Sequence, residues 1–266
     1  MHIKFYEPIS TKLRCYIEGY YLRKKNDVEP RRYLTFPNNY NILTFLKDAD
    51  IIHNDYEISI FKCLGFDNLS LTYDYKRPMC IEYLDTVEEL TIYFKPYGIN
   101  QFINNVHEFY CGSGIYIFNK EHFLFRDVSK LMIDIHKDNF VNELENYLES
   151  KFEAVEDLLL NNILTCLNHD VSITEMANQI GYSRQYLSRY FSQIIGKSPN
   201  SFKKIHRFRE AIQNKLTQES LTDLGHLVGF FDQSHFIKEF KNIARDTPKN
   251  FFDTVKIDKK NIWRNI

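Results

Sequence analysis

The 266-residue sequence contains no C-x-x-C pair, and its five cysteines (Cys15, Cys63, Cys80, Cys111 and Cys166) are odd in number and widely scattered. That argues against a zinc site or a disulfide framework and fits a reducing compartment. Nine histidines are present, none at H-x-H, H-x-x-x-H or H-E-x-x-H spacing and none clustered with cysteine, so no metal and no cofactor is expected. No G-x-S-x-G nucleophile elbow and no Walker-type phosphate loop occurs. The first residues, Met1 to Pro8, lack the apolar core of a signal peptide, and no stretch approaches the roughly 18 uninterrupted apolar residues of a membrane span. These absences predict a cytoplasmic protein that is not an enzyme and has no membrane partner.

What is present is unevenly distributed. A hydrophobic content of 44% in a chain of this length can fill two cores. The formal net charge of -1 hides an asymmetry: residues 161–266 carry 16 Lys and Arg against 10 Asp and Glu, whereas residues 1–160 carry 18 against 25. A basic half joined to an acidic half fits a nucleic-acid-binding domain attached to a domain with another task, because neutralising phosphates supplies much of the binding energy.

The first half reads as strands. Segments rich in aromatic and β-branched residues recur at Tyr40–Leu46, Ile58–Phe61, Leu69–Tyr73, Met79–Leu84 and Leu90–Phe94. Turn chemistry such as Phe36-Pro37-Asn38-Asn39 and Gly65-Phe66-Asp67-Asn68 separates them. Before them, Leu13, Tyr16, Ile17 and Tyr20 recur at helical spacing and predict a short opening helix. From Asp127, which could cap the helix start, the period becomes helical, with Leu131, Ile135, Val141, Leu144, Tyr147 and Leu148 on one stripe. A further helix is expected near Glu153–Leu167, ending at Asn168-His169-Asp170. The predicted fold class is α+β. A β-rich domain (1–126, a cupin-like barrel or a sandwich) precedes a helical connector or dimerisation element (127–152) and an all-α domain with two helix-turn-helix units (153–266).

That last domain is read from a repeat. Aligning Gly181 with Gly229 places Ile173-x-x-Met176-Ala177 over Leu221-x-x-Leu224-Gly225, Leu187 over Phe236, Phe191 over Phe240 and Pro199 over Pro248, with one extra residue after the second turn. Polar helix starts are assigned to Ser172 and Thr222. A small residue lets two helices cross closely, and a glycine four positions later suits a turn with positive φ. Apolar residues four apart then pack the second helix and leave a polar outer face. In the first copy that face is Arg184, Gln185, Ser188 and Arg189. In the second it is Gln233, Ser234, His235, Ile237 and Lys238. Arg can pair with guanine O6 and N7, Gln with adenine N6 and N7, and Ser or His with several acceptors and phosphates. Between the copies, Pro199–Leu216 carries Phe202, Ile205, Phe208, Ala211, Ile212 and Leu216 on one apolar face, with Lys203, Lys204, Arg207 and Arg209 around it.

The stretches Gly181-Tyr182-Ser183-x-x-x-Leu187-x-Arg189-x-Phe191, Gly196-Lys197-Ser198-Pro199 and Gly229-Phe230-Phe231-Asp232-Gln233-Ser234-His235-Phe236-x-Lys238-x-Phe240-Lys241 resemble the AraC/XylS signature, over roughly Glu153–Phe252. The resemblance implies seven helices, a linker helix between two helix-turn-helix units, and recognition helices in successive major-groove segments. Ser183, Lys197, Arg245 and Lys249 are further candidates for contact with the DNA backbone. Two departures stand out: Gly225 where the family usually has Ala, and an Ala244-Arg245-Asp246-Thr247-Pro248 loop without the glycine that the first copy has at Gly196. The first half resembles the sensor domains of such regulators more weakly; Ile92-Tyr93-Phe94-Lys95-Pro96-Tyr97-Gly98 is similar to an F-K-P-x-G segment in one group of them. Expected partners are double-stranded DNA, a small-molecule effector, a second copy of the chain and, for an activator, RNA polymerase. The alternatives are a first half that serves only dimerisation or protein interaction, and a cupin-type metal enzyme, which the histidine spacing disfavours.

Overall fold

The computed structural model describes residues 4–24, 32–110, 112, 114–168, 171–215, 220–258 and 261–266. Cys111, His169, Asp170 and Leu216, named above, lie outside the described residues. The chain divides into two compact units, one of residues 1–32, 40–74 and 81–156, the other of residues 33–39, 75–80 and 157–266. Two short segments of the first half therefore belong to the second unit.

Among the described residues ten strands precede the first α-helix. They are β1 (Lys4–Tyr6), β2 (Ile17–Arg23), β3 (Arg32–Thr35), β4 (Asn41–Lys47), β5 (Ala49–His53), β6 (Glu57–Lys62), β7 (Asn68–Thr72), β8 (Met79–Tyr83), β9 (Glu88–Phe94) and β10 (Ile115–Ile117). In the first unit, β1-β2-β9-β4-β7-β10 form one sheet in that order, antiparallel throughout. Register explains its core. Leu43 lies opposite Ile92 and Leu71, and Phe45 opposite Leu90 and Leu69, so the period-two apolar positions of three strands converge on one buried face. Helices α1 (Phe123–Leu131) and α2 (Phe140–Lys151) add Val128, Leu144 and Leu148 to the same cluster.

The five strands predicted from alternation are all present, with ends shifted by a residue or two. The opening helix is not. A single 3-10 turn, Leu13–Cys15, leads into β2, whose Tyr20–Leu22 pair across the sheet with Leu90–Ile92. Residues 13, 17 and 20 fit a helical stripe, but β-branched and aromatic side chains on a sheet buried on both faces fit it as well, and tertiary pairing decides. Asp127 does not cap α1: the N-cap is His122, whose Nδ1 accepts from the Leu124 amide at 3.3 Å.

The second unit contains seven α-helices among the described residues, as the family resemblance implies. They are α3 (Leu158–Asn168), α4 (Ile173–Ile180), α5 (Arg184–Ile195), α6 (Pro199–Asn214), α7 (Leu221–Leu227), α8 (Gln233–Ala244) and α9 (Pro248–Thr254). Strands β11 (Lys256–Asp258) and β12 (Asn261–Asn265) follow as a hairpin, and β12 pairs with Tyr33–Thr35 of β3. Beyond β3 the chain inserts Phe36, fully buried, into a core made by Phe208, Leu224, Phe236, Phe240, Phe251 and Ile262. Its ring meets Phe251 edge to face at 4.8 Å, and its carbonyl accepts from the hydroxyl of buried Tyr75 at 2.7 Å. The Phe36-Pro37-Asn38-Asn39 segment is thus a strap of the second unit as well as a turn.

Candidate DNA interface

Each helix-turn-helix is built by local chemistry. Helix α4 starts in a capping box, Ser172 accepting from the Glu175 amide and Glu175 from the Ser172 amide, which also holds the Glu175 carboxyl below its ordinary range. The chain turns through Gly181 (φ 75°), and Ser183 caps α5 by accepting from the Tyr186 amide at 3.1 Å. In the second copy Ser220, rather than Thr222, caps α7. Gly229 (φ 82°) makes the turn, and Asp232 caps α8 through the His235 amide at 2.8 Å. Leu187, Phe191 and Ile195 bury one face of α5, and Phe236, Phe240 and Ile243 one face of α8. At the crossing of α7 and α8, a Cβ on Gly225 would stand 3.3 Å from Phe236 Cβ. An added methyl there would need Phe236 to give by a few tenths of an ångström, so glycine eases the close crossing.

The polar face is largely where the sequence places it. Arg184, Gln185 and Arg189 are exposed together on α5, with Ser188 half-buried beside them. Gln233, Ser234, His235 and Lys238 are exposed on α8. Ile237 is a correction. It is half-buried and packs against the second core, because the cluster around Phe240 extends to that side of the helix.

The backbone candidates divide. Arg245 and Lys249 are exposed, and the Ser183 side chain is engaged in its cap. Lys197 is a second correction: only 3% exposed, it donates from Nζ to the Asn38 carbonyl at 2.9 Å, so the strap holds it away from solvent in this structure. The strap also reaches α6, where Asn39 Nδ2 donates to the Phe202 carbonyl at 3.0 Å.

Arg245 occupies the left-handed C-cap of α8 (φ 56°), where Gly196 (φ 83°) serves α5. Its neighbour Asp246 feels burial pushing its carboxyl up, yet hydrogen bonds from Arg264, Asn250 and Thr247 outweigh that and hold it low; Arg264 Nη1 lies 2.8 Å away. The loop geometry is therefore fixed from both sides. Left-handed strain of about 1–2 kcal/mol at a non-glycine residue, less about 0.5–1 kcal/mol of extra unfolded-state entropy for glycine, sets the expected gain from Arg245→Gly at roughly 0.5–1 kcal/mol. Urea unfolding should show it. A variant no more stable than wild type would mean that Arg245 makes a compensating contact.

Sequence reasoning missed the aromatic residues flanking the polar face. Tyr182 and Tyr186, both partly exposed, stack at 5.0 Å and 15°, and Tyr186 stacks on Tyr190 at 5.9 Å, whose hydroxyl donates to Asp157. The four-residue spacing of Tyr186 and Tyr190 was the available signal.

Among the described residues no group of three or more His, Cys, Asp or Glu could hold a metal, and no helix is long and apolar enough to cross a membrane. A family model described as a helix-turn-helix domain matches residues 176–254. An HTH-type transcriptional regulator of Staphylococcus aureus is 27% identical over 118 residues, 44% of this chain but 14% of that protein, so the chain spans only a small part of those relatives. The probable transcription factor PqrA of Proteus vulgaris is 26% identical over 115 residues, 43% of this chain and 84% of that protein. Among solved structures, ToxT from Vibrio cholerae O395 is 14% identical with a TM-score of 0.40, covering 88% of this chain and 95% of that one. With its glycine turns, side-chain caps and two helices buried on one face, α5 and α8, the stretch 176–254 carries a helix-turn-helix domain, and it is this part of the chain that resembles the AraC/XylS signature.

Proposed function

We propose that this chain is a sequence-specific, double-stranded-DNA-binding transcription regulator whose two exposed helix faces on α5 and α8 read base edges. The observation that carries the reading is the pair of capped helices, each buried on its apolar side and each presenting Arg, Gln, Ser, His or Lys outward. Such an arrangement binds rather than catalyses. Arg184, Gln185, Arg189, Gln233, Ser234 and His235 are the readers in this proposal, with Lys238, Arg245 and Lys249 toward phosphates.

The first unit is assigned to control by a small-molecule effector, in the cytoplasm, with RNA polymerase as the partner of an activator and a second copy as the partner of a dimer. Chain continuity supplies a route. Strand β4 begins at Asn41, two residues beyond Asn39, whose side chain bonds the linker helix α6, so a ligand that moves β4 pulls on a segment built into the DNA-binding unit.

Selection of bound duplexes from a random pool tests the reading, followed by binding of variants to the selected site. Arg189→Ala is expected to reduce discrimination against a mutated site by roughly 1–3 kcal/mol, as for a lost bidentate base contact. Equal weakening on every sequence would reassign Arg189 to phosphate, and enrichment of no duplex would sink the reading.

A further inference from the structure

The two copies share one hydrogen-bond pattern at the turn, which locates the extra residue of the second. The Tyr182 amide donates to the Ala177 carbonyl at 3.2 Å and the Phe230 amide to the Gly225 carbonyl at 2.9 Å, so Tyr182 and Phe230 correspond. The next residue in the first copy is already the N-cap, Ser183, whereas in the second Phe231 precedes the N-cap Asp232. The inserted residue is a phenylalanine.

Folding does not account for it. An apolar residue just before an N-cap ordinarily packs on the fourth helical residue, here Phe236. Phe230 fills that role instead: it is buried, meets Phe236 at 5.5 Å and His235 edge to face at 5.2 Å. Phe231 is left 91% exposed, the most exposed large apolar side chain among the described residues. It opens a run of five exposed residues, Phe231 to His235, that contains three of the polar readers. The first copy offers no free equivalent, since Tyr182 is tied to Tyr186 by stacking.

We propose that Phe231 is a specificity-determining residue of the second helix-turn-helix, which contacts the C5-methyl group of a thymine in the major groove. The proposal rests on the DNA-binding reading above. Recognition helices enter the groove by their N-terminal residues, and the thymine methyl is the apolar feature that the groove presents to them. A ring that desolvates nothing in the free protein gains burial there at no cost to the fold.

The test uses the full chain and its selected duplex, with each thymine replaced in turn by deoxyuridine, which deletes only the methyl group. At one position the replacement should weaken wild-type binding about fourfold, the burial of one methyl-sized group. Phe231→Ala should bind the thymine duplex correspondingly less tightly, be indifferent to deoxyuridine at that position, and unfold at the same urea concentration as wild type. If Phe231→Ala binds like wild type, or its effect and that of deoxyuridine simply add, the methyl contact is refuted. Uniform weakening without any deoxyuridine-sensitive position places the ring on sugar or phosphate and also overturns it. Failure of the wild type to select any duplex would instead refute the DNA-binding reading, and this inference with it.

Discussion

Phe36→Ala is expected to destabilise the second unit by about 3–5 kcal/mol, as for a large aromatic ring removed from a closed core. The ring has no exposed surface, sits edge to face on Phe251 at 4.8 Å, and has the Arg264 guanidinium 5.8 Å from its centroid. The core that it enters is built by α6, α7, α8, α9 and β12, already fixed by their own packing, so the cavity has little room to collapse. Trp263, the sole tryptophan, lies opposite Thr35 in the pairing of β12 with β3, and its fluorescence reports on this corner during urea unfolding. A loss below about 1 kcal/mol would show that the strap is an ornament on the unit rather than part of its core. By the same reasoning, a fragment of residues 153–266, which the repeat alone suggests is complete, lacks Phe36, the β3 partner of β12 and the carbonyl that receives Lys197. It should unfold at distinctly lower urea than the same unit in the full chain.

That contrast marks where the sequence stops being legible. Helix caps, turns and apolar periodicity are local, so Ser172, Ser183, Gly181 and the outward residues of α5 could be placed from spacing alone. Alternation likewise located β4, β7 and β9, because the side chains that face the core repeat every second residue. What failed depended on residues distant in sequence. Nothing near Lys197 announces that Asn38 receives its ammonium group, and nothing near Ile237 announces that the Phe240 cluster covers it. Phe36 lies among turn formers and reads as a loop residue until its partners on five other elements are known. Strands β11 and β12 escaped because they are only three and five residues long, too short for alternation to stand out.

Affinity for the selected duplex is expected to fall about 10³- to 10⁵-fold between 50 and 200 mM salt, the release of counterions from roughly six to ten phosphates. The charge to do this is concentrated in the second half, where residues 161–266 carry 16 Lys and Arg against 10 Asp and Glu. Not all of it is available: Lys197 is buried under the strap, Arg264 is paired with Asp246, and Lys204 is near Glu239 at 3.7 Å. Among the described residues the exposed Arg184, Arg189, Lys238, Lys241, Arg245, Lys249 and Lys256 remain, which places the expected slope toward the lower end of that range. The linker helix fixes how the charges are used. Phe202 on α6 meets Phe191 of α5 edge to face, and Phe208, Ala211 and Ile212 enter the core around α8, so α5 and α8 are joined by packed side chains. One chain should then protect two major-groove segments about one helical turn, roughly 34 Å, apart on one face of the DNA. A salt-independent affinity would remove the phosphates from the account altogether. Protection of a single segment, with Lys238→Ala and Gln233→Ala leaving affinity unchanged, would make α8 a structural helix and leave α5 as the only reader.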